Sequence, residues 1–147
     1  TDAYATNMGI CNSEGGECAR LRHYLGRDDL KFIYYVKPES SGDLGGRDAV
    51  ESMKAAYFLD KPDALCVAGP VAGKKSDAQL MARVREAFPD SVIFANTGVN
   101  PNTIGELFTY ANAAFVGTYL KKDGVFENAV DPERVKRLMD QANQLRK

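Results

Sequence analysis

The chain has no surplus of basic charge, no long apolar run, no ordered cysteine spacing and a single histidine, and each lack closes off a class of function. Lys and Arg total 19 against 20 Asp and Glu, for a net charge of −1, whereas nucleic-acid-binding domains are basic overall or in clusters. No apolar stretch approaches the roughly 20 residues that cross a bilayer as a helix. The start, Thr1-Asp2-Ala3-Tyr4, is polar and lacks the basic-then-apolar order of a secretory signal. The three cysteines, Cys11, Cys18 and Cys66, are odd in number and scattered, so they make neither a disulfide framework nor a CxxC metal pair. A reduced, cytoplasmic compartment is the expectation that follows. His23 stands alone on a helical stretch, and no carboxylate cluster has ligand spacing, so neither a metal nor a cofactor is expected.

What is present is enough for one domain with a real core: 147 residues, 44% of them hydrophobic. Residues 92–124 organise the rest. Residues 92–95 are apolar and β-prone and stop at Asn96-Thr97-Gly98. Asn100-Pro101 reads as a helix cap followed by proline in the first turn. Ile104, Leu107, Phe108 and Ala111 then share one helical face. Residues 113–116 form a second apolar run, cut by Gly117-Thr118. Two strands joined by one helix make a βαβ unit with parallel strands and a right-handed crossover. Both glycine turns then fall at the carboxyl ends of strands, where α/β proteins place their sites. Small residues there let backbone N–H groups approach an anion; the same glycines also serve simply as tight turns. The expected phosphate-binding residues are Thr97, Gly98, Val99, Gly117 and Thr118, with Lys121 and Lys122 adding charge beside them.

The remaining chain repeats this grammar. Residues 1–9 read as a loop. Asn12 or Ser13 caps a helix to about Leu25 with Leu21, Tyr24 and Leu25 inward. Residues 32–36 form a strand, and a helix follows from about 46 to 59, with Val50, Met53 and Ala56 inward. Residues 64–68 form a strand containing a buried Cys66. Ser76 or Asp77 caps a helix carrying Leu80, Met81, Val84 and Phe88. Asp131-Pro132-Glu133 opens a last helix presenting Val135, Leu138, Met139, Ala142 and Leu145. The order is one helix and then βα four times, which argues a parallel sheet with helical cover. A complete (β/α)8 barrel has twice as many strands, so the expected fold is α/β, a partial TIM barrel equivalent to about strands 5–8, cut after a strand. An open flavodoxin-like sheet is the competing architecture, but it uses about five strands. Half a barrel would expose strand edges, so a homo-oligomer or a complementing amino-terminal half is expected.

Lys37, at the carboxyl end of the strand over 32–36, is expected to point into the site face. There a lysine binds an anion or, with a depressed pKa, attacks a carbonyl; the plainer reading, which the sequence favours, is a loop lysine with a solvated head. Glu39 is a candidate general base without a visible partner. Asp123 can orient a ligand hydroxyl or pair with a lysine. Gly73-Lys74-Lys75 is not a phosphate-binding P-loop, because Ala68 stands where the motif needs its first glycine.

Several of these stretches resemble the BtpA/SgcQ family over nearly the whole chain. The matching residues include Cys66-Val67-Ala68-Gly69-Pro70, Asn96-Thr97-Gly98-Val99-Asn100-Pro101, and Lys121-Lys122-Asp123-Gly124 followed by Glu127-Asn128-Ala129-Val130-Asp131. The resemblance implies a (β/α)8 barrel of the ribulose-phosphate-binding kind, of which this chain is the carboxyl-terminal half or slightly more. It further implies either a barrel binding a phosphorylated small molecule, as a nucleosidase- or aldolase-like enzyme, or a non-enzymatic assembly factor of the photosystem I biogenesis type, peripheral to a membrane. Relatives place a histidine next to the lysine at position 37; here Pro38 follows, which weakens any acid–base role borrowed for that loop.

Overall fold

The computed structural model describes residues 3–12, 14–70, 74 and 76–146. Ser13, one of the two expected caps of the first helix, and Gly73 and Lys75 of the rejected phosphate loop lie outside the described residues. In chain order the elements are β1 (Tyr4–Thr6), β2 (Gly9–Cys11), α1 (Gly15–Tyr24), β3 (Ile33–Lys37), β4 (Ser41–Asp43), α2 (Ala49–Asp60), β5 (Ala64–Ala68), α3 (Ala78–Ala87), β6 (Val92–Asn96), α4 (Ile104–Leu107), β7 (Ala113–Ala114) and α5 (Pro132–Leu145).

The apolar strands assemble as expected into one parallel sheet in the order β3-β5-β6-β7. Its register pairs Tyr35 with Cys66, Cys66 with Phe94, and Phe94 with Ala113. Helices α2, α3, α4 and α5 pack against one face of this sheet. Val50, Met53 and Ala56 of α2, Leu80, Met81 and Val84 of α3, Ile104 and Leu107 of α4, and Leu138 and Ala142 of α5 share a single core with Val36, Leu65, Val67, Ile93 and Ala95. Because side chains alternate along a strand, the intervening residues Ile33, Tyr35, Cys66, Val92, Phe94 and Phe115 belong to the opposite face. That face has no helical layer among the described residues: Ile33, Tyr35, Val92 and Phe115 remain 36–44% exposed. Parallel sheets are ordinarily covered on both faces, so one bare apolar face is the exceptional feature of this fold.

Helix starts follow the sequence signals. Asp48, Asp77 and Asp131 each accept a backbone N–H one or two residues into α2, α3 and α5, which satisfies donors the helix cannot. Arg85 of α3 secures the opposite end of the sheet. Its guanidinium donates to the carbonyls of Tyr110, Phe88, Pro89 and Ser91 and to Asn112 Oδ1, which also accepts from Ile93 N–H.

Three local expectations are corrected. Residues 1–9 are not wholly loop: β1 pairs antiparallel with β2 and with β4, a strand built from part of the polar loop after β3. Strands of three residues, Tyr-Ala-Thr, Gly-Ile-Cys and Ser-Gly-Asp, are too short to show an alternation that would reveal them. The inward face assigned to the first helix is exposed, with Leu21, Tyr24 and Leu25 at 56%, 85% and 57%. The helix expected from Asn100 to Ala111 has only one α-helical turn. It begins at Ile104 with Thr103 before it, not at Asn100, whose carbonyl accepts from Ile104 N–H within the preceding turn; Gly105 and β-branched Thr103 and Thr109 are weak helix formers. No helix among the described residues is long and apolar enough to cross a membrane.

Candidate functional site

The two turns singled out in the sequence meet at the carboxyl ends of β6 and β7. They line one cavity of about 310 Å³ with Asn96, Thr97, Gly98, Val99 and Asn100 on one side and Phe115, Val116, Gly117, Thr118 and Tyr119 on the other. All five expected phosphate residues, Thr97, Gly98, Val99, Gly117 and Thr118, are therefore brought together. Glu39, Gly124, Phe126 and Arg134 complete the lining.

The first turn is held rigidly. Thr97 and Gly98 both have positive φ, 64° and 62°, a conformation natural for glycine and unusual for a β-branched residue. Thr97 is kept there by neighbours. Its Oγ1 accepts from Gly69 N–H at 2.7 Å, and Ser76 Oγ donates to the carbonyls of Asn96 and Thr97. Asn100 Nδ2 and Thr103 Oγ1 both donate to the carbonyl of Gly98. The carbonyls of 96, 97 and 98 are thus all engaged by side chains of the surrounding loops, which holds the turn in this conformation. Gly117 differs: its φ is negative, and a Cβ built on it would meet nothing within 4 Å. Space there belongs to the cavity.

The cation of the site is Arg134, in the first turn of α5, which nothing in the spacing of the sequence marks as a site residue. Its Nε donates to Tyr119 O at 2.5 Å, and its guanidinium carbon lies 4.5 Å from the centroid of the Tyr119 ring. Among the described residues its two terminal nitrogens have no hydrogen-bond or ion-pair partner, which leaves a planar fork suited to a phosphate or carboxylate. Lys121 and Lys122 do not line the cavity; their backbones pair with the 129–130 segment. Asp123 is exposed on the adjoining turn, with φ 57°, and also lies outside the lining.

Lys37 lies elsewhere for a specific reason. A bulge between Tyr35 and Lys37 shifts the register of β3 against β5, and bulges re-aim side chains. Lys37 lines cavities with Asp43, Asp48 and Asp77 and with Ser41 and Gly69 instead, while Glu39 enters the cavity of the glycine turns. Oε2 of Glu39 is buried and has no hydrogen-bond partner among the described residues. Next to it on the bare sheet face, Tyr35 accepts from Asn96 Nδ2 at 3.0 Å. Burial, reinforced by the nearby Cys66 and Glu39, raises the Tyr35 pKa. Burial pushes the Cys66 thiol up to about 12, with Glu39 adding to it. His23 is exposed on α1, away from the cavity. Among the described residues no group of three or more His, Cys, Asp or Glu could hold a metal ion.

The comparisons agree in placing the chain. A family model described as BtpA family matches residues 1–144. SgcQ of Escherichia coli (strain K12), named for the sgc region, is 39% identical over 147 residues, which is 100% of this chain and 55% of that protein. An uncharacterized protein of Thermococcus kodakarensis is 36% identical over 141 residues, 96% of this chain and 52% of its own length. The photosystem I biogenesis protein BtpA of Synechocystis sp. is 24% identical over 135 residues, 92% of this chain and 47% of its own length. The chain spans about half the length of the curated relatives it matches. No solved structure matches it.

Proposed function

This chain belongs to the BtpA family, and on that premise we propose that it forms the carboxyl-terminal half of a (β/α)8 barrel and binds a phosphorylated small molecule at the turns after β6 and β7. The observation that carries the ligand reading is the cavity in which Thr97, Gly98, Val99, Gly117 and Thr118 converge with the uncommitted fork of Arg134. In barrels of this class the loops after the last two strands are the usual phosphate site. The half-barrel reading is supported by four parallel strands with helices on one face and bare apolar side chains on the other. In an open doubly wound sheet, helices cover both faces. The proposed cover is the missing strands, supplied by an amino-terminal half or imitated by a second copy.

Of the two enzymatic classes, the nucleosidase-like one is better supported than the aldolase-like one. A carboxylate, Glu39, shares the cavity, whereas Lys37, the candidate carbonyl nucleophile, does not. A second, non-enzymatic reading is an assembly factor using the barrel as an interaction module. The observation favouring it is Phe58 and Leu59 on α2, 80% and 73% exposed, since contiguous exposed apolar surface marks docking sites.

The test is calorimetric titration of ribose 5-phosphate, a nucleoside monophosphate and inorganic sulfate into the natural polypeptide that carries residues 1–147. Wild type is compared with Gly117→Asp and Arg134→Met. The open space at Gly117 makes the aspartate a test of charge rather than of folding. Each charge-assisted hydrogen bond is worth about 1.5–3 kcal/mol, so Arg134→Met is expected to weaken binding roughly 10- to 100-fold and Gly117→Asp to abolish it. If wild type binds none of the three, the phosphate reading is wrong and the assembly-factor reading replaces it.

A further inference from the structure

We propose that Glu39 reads the end of the ligand remote from its phosphate, so that the ligand is a phosphorylated sugar or polyol whose hydroxyl donates to Glu39 Oε2. This rests on the reading of the glycine-turn cavity as a phosphate site and specifies what else that site recognises.

Three observations converge. Glu39 lines the same cavity as the glycine turns and Arg134, whereas Lys37, just past the β3 bulge, does not. Its Oε2 is buried without a donor among the described residues. A buried acceptor left unpaired bears the full cost of losing water, and such atoms in native proteins call for a specific explanation. An ionised carboxylate only accepts, so the group that completes it must be a donor. Tyr35 is close enough to feel the Glu39 charge, but no hydrogen bond joins the two: the Tyr35 hydroxyl accepts from Asn96 Nδ2 and pairs with the Cys66 thiol. A phosphate cannot be the partner, because two anions would then face each other. The ligand therefore has two unlike ends: an anion for Arg134 and the backbone N–H groups, and a hydroxyl for Glu39.

Phe115 sets the character of the middle. It lines the cavity, stays 44% exposed, and stacks on Phe94 with ring centroids 4.9 Å apart. A flat apolar wall suits the C–H face of a sugar or polyol, which carries hydroxyls at its rim and carbon at its centre. The volume of about 310 Å³ is at the small end for ligand sites. It accommodates a pentose-sized phosphate.

The experiment compares ribose 5-phosphate, butyl phosphate and inorganic phosphate by calorimetry, in the natural polypeptide carrying residues 1–147, for wild type, Glu39→Met and Glu39→Gln. Butyl phosphate keeps the charge and the carbon but has no hydroxyl. Wild type is expected to prefer ribose 5-phosphate over butyl phosphate by about tenfold, the factor one good hydrogen bond supplies. Glu39→Met removes that preference and leaves butyl phosphate binding within about twofold or slightly tighter, since one repelling charge is gone; Glu39→Gln falls between. If the phosphates bind but Glu39→Met and Glu39→Gln retain the wild-type preference, the assignment of Glu39 is overturned and the phosphate site stands. If none of the three compounds binds wild type, the phosphate reading itself fails and takes this inference with it.

Discussion

The hydroxyl of Thr97 is the pin on which the candidate site turns, and its removal has a calculable consequence. Thr97 sits in left-handed backbone at φ 64° with 9% of its surface exposed, and its Oγ1 is the acceptor for the buried Gly69 N–H at 2.7 Å. Thr97→Val preserves the branched shape, so any backbone strain is common to both residues and largely cancels. What changes is one acceptor. A buried N–H left unpaired costs about 1–3 kcal/mol. For a chain of this size each kcal/mol moves the melting temperature by roughly 2–4 °C, so Thr97→Val is expected to melt about 2–12 °C below wild type. Thr97→Ser keeps the oxygen and is expected to stay within about 2 °C. The assay is thermal denaturation by circular dichroism, paired with phosphate titration. Loosening the 97–100 turn should weaken the anion as well as the fold. If the valine and serine variants melt together, the hydroxyl is not what holds the turn, and the account of a rigid cradle is refuted.

Other predictions follow from single features. Arg85→Met leaves the carbonyls of Tyr110, Pro89 and Ser91 without their donor and should lower stability by about 2 kcal/mol or more, read as a drop in denaturant midpoint; an unchanged midpoint would contradict the stapling role. Cys11 and Cys18 are exposed and Cys66 is buried, so a thiol reagent at pH 8 should modify two cysteines in the native protein and all three in denaturant. Folding keeps the Cys66 thiol protonated, with its pKa raised to about 12 from 9.0. Its contribution to stability is therefore intact below about pH 9 and lost as pH rises toward 12. Cys66→Ala should flatten that part of the stability curve. Val92→Lys places a charge on the bare sheet face, where Val92 is 44% exposed. It should weaken self-association or binding of an amino-terminal half in sedimentation experiments without lowering helix content; unchanged association would argue that this face is not the interface.

How much of this was legible depends on whether neighbours or the local chain decide the outcome. β5 and β6 were readable because Ala64-Leu65-Cys66-Val67-Ala68 and Val92-Ile93-Phe94-Ala95 are apolar runs bounded by turn residues. The meeting of Gly98 with Gly117 followed from βαβ topology alone. The small antiparallel sheet was not readable, since Ser41-Gly42-Asp43 has the composition of a turn and becomes a strand only because β1 lies beside it. Lys37 misled for a related reason: alternation along β3 aims it at the site face, and a bulge visible only in the pairing with β5 re-aims it. Arg134 was hidden by its own helix. The stretch from Asp131 to Val135 announces a capped start, and nothing in its spacing says that its arginine folds back over Tyr119. The emptiness of the second sheet face was foreshadowed by the count of four strands, but the exposed side of α1 was not.

The most direct measurement is a crystal structure of the natural polypeptide that carries residues 1–147, grown with ribose 5-phosphate. The account predicts phosphate density within hydrogen-bond distance of the backbone N–H groups of the 98–99 and 117–118 turns and of the Arg134 guanidinium, with a sugar hydroxyl on Glu39 and four further parallel strands over Tyr35, Phe94 and Phe115. An empty cavity at saturating ligand, or a phosphate bound elsewhere, would contradict it.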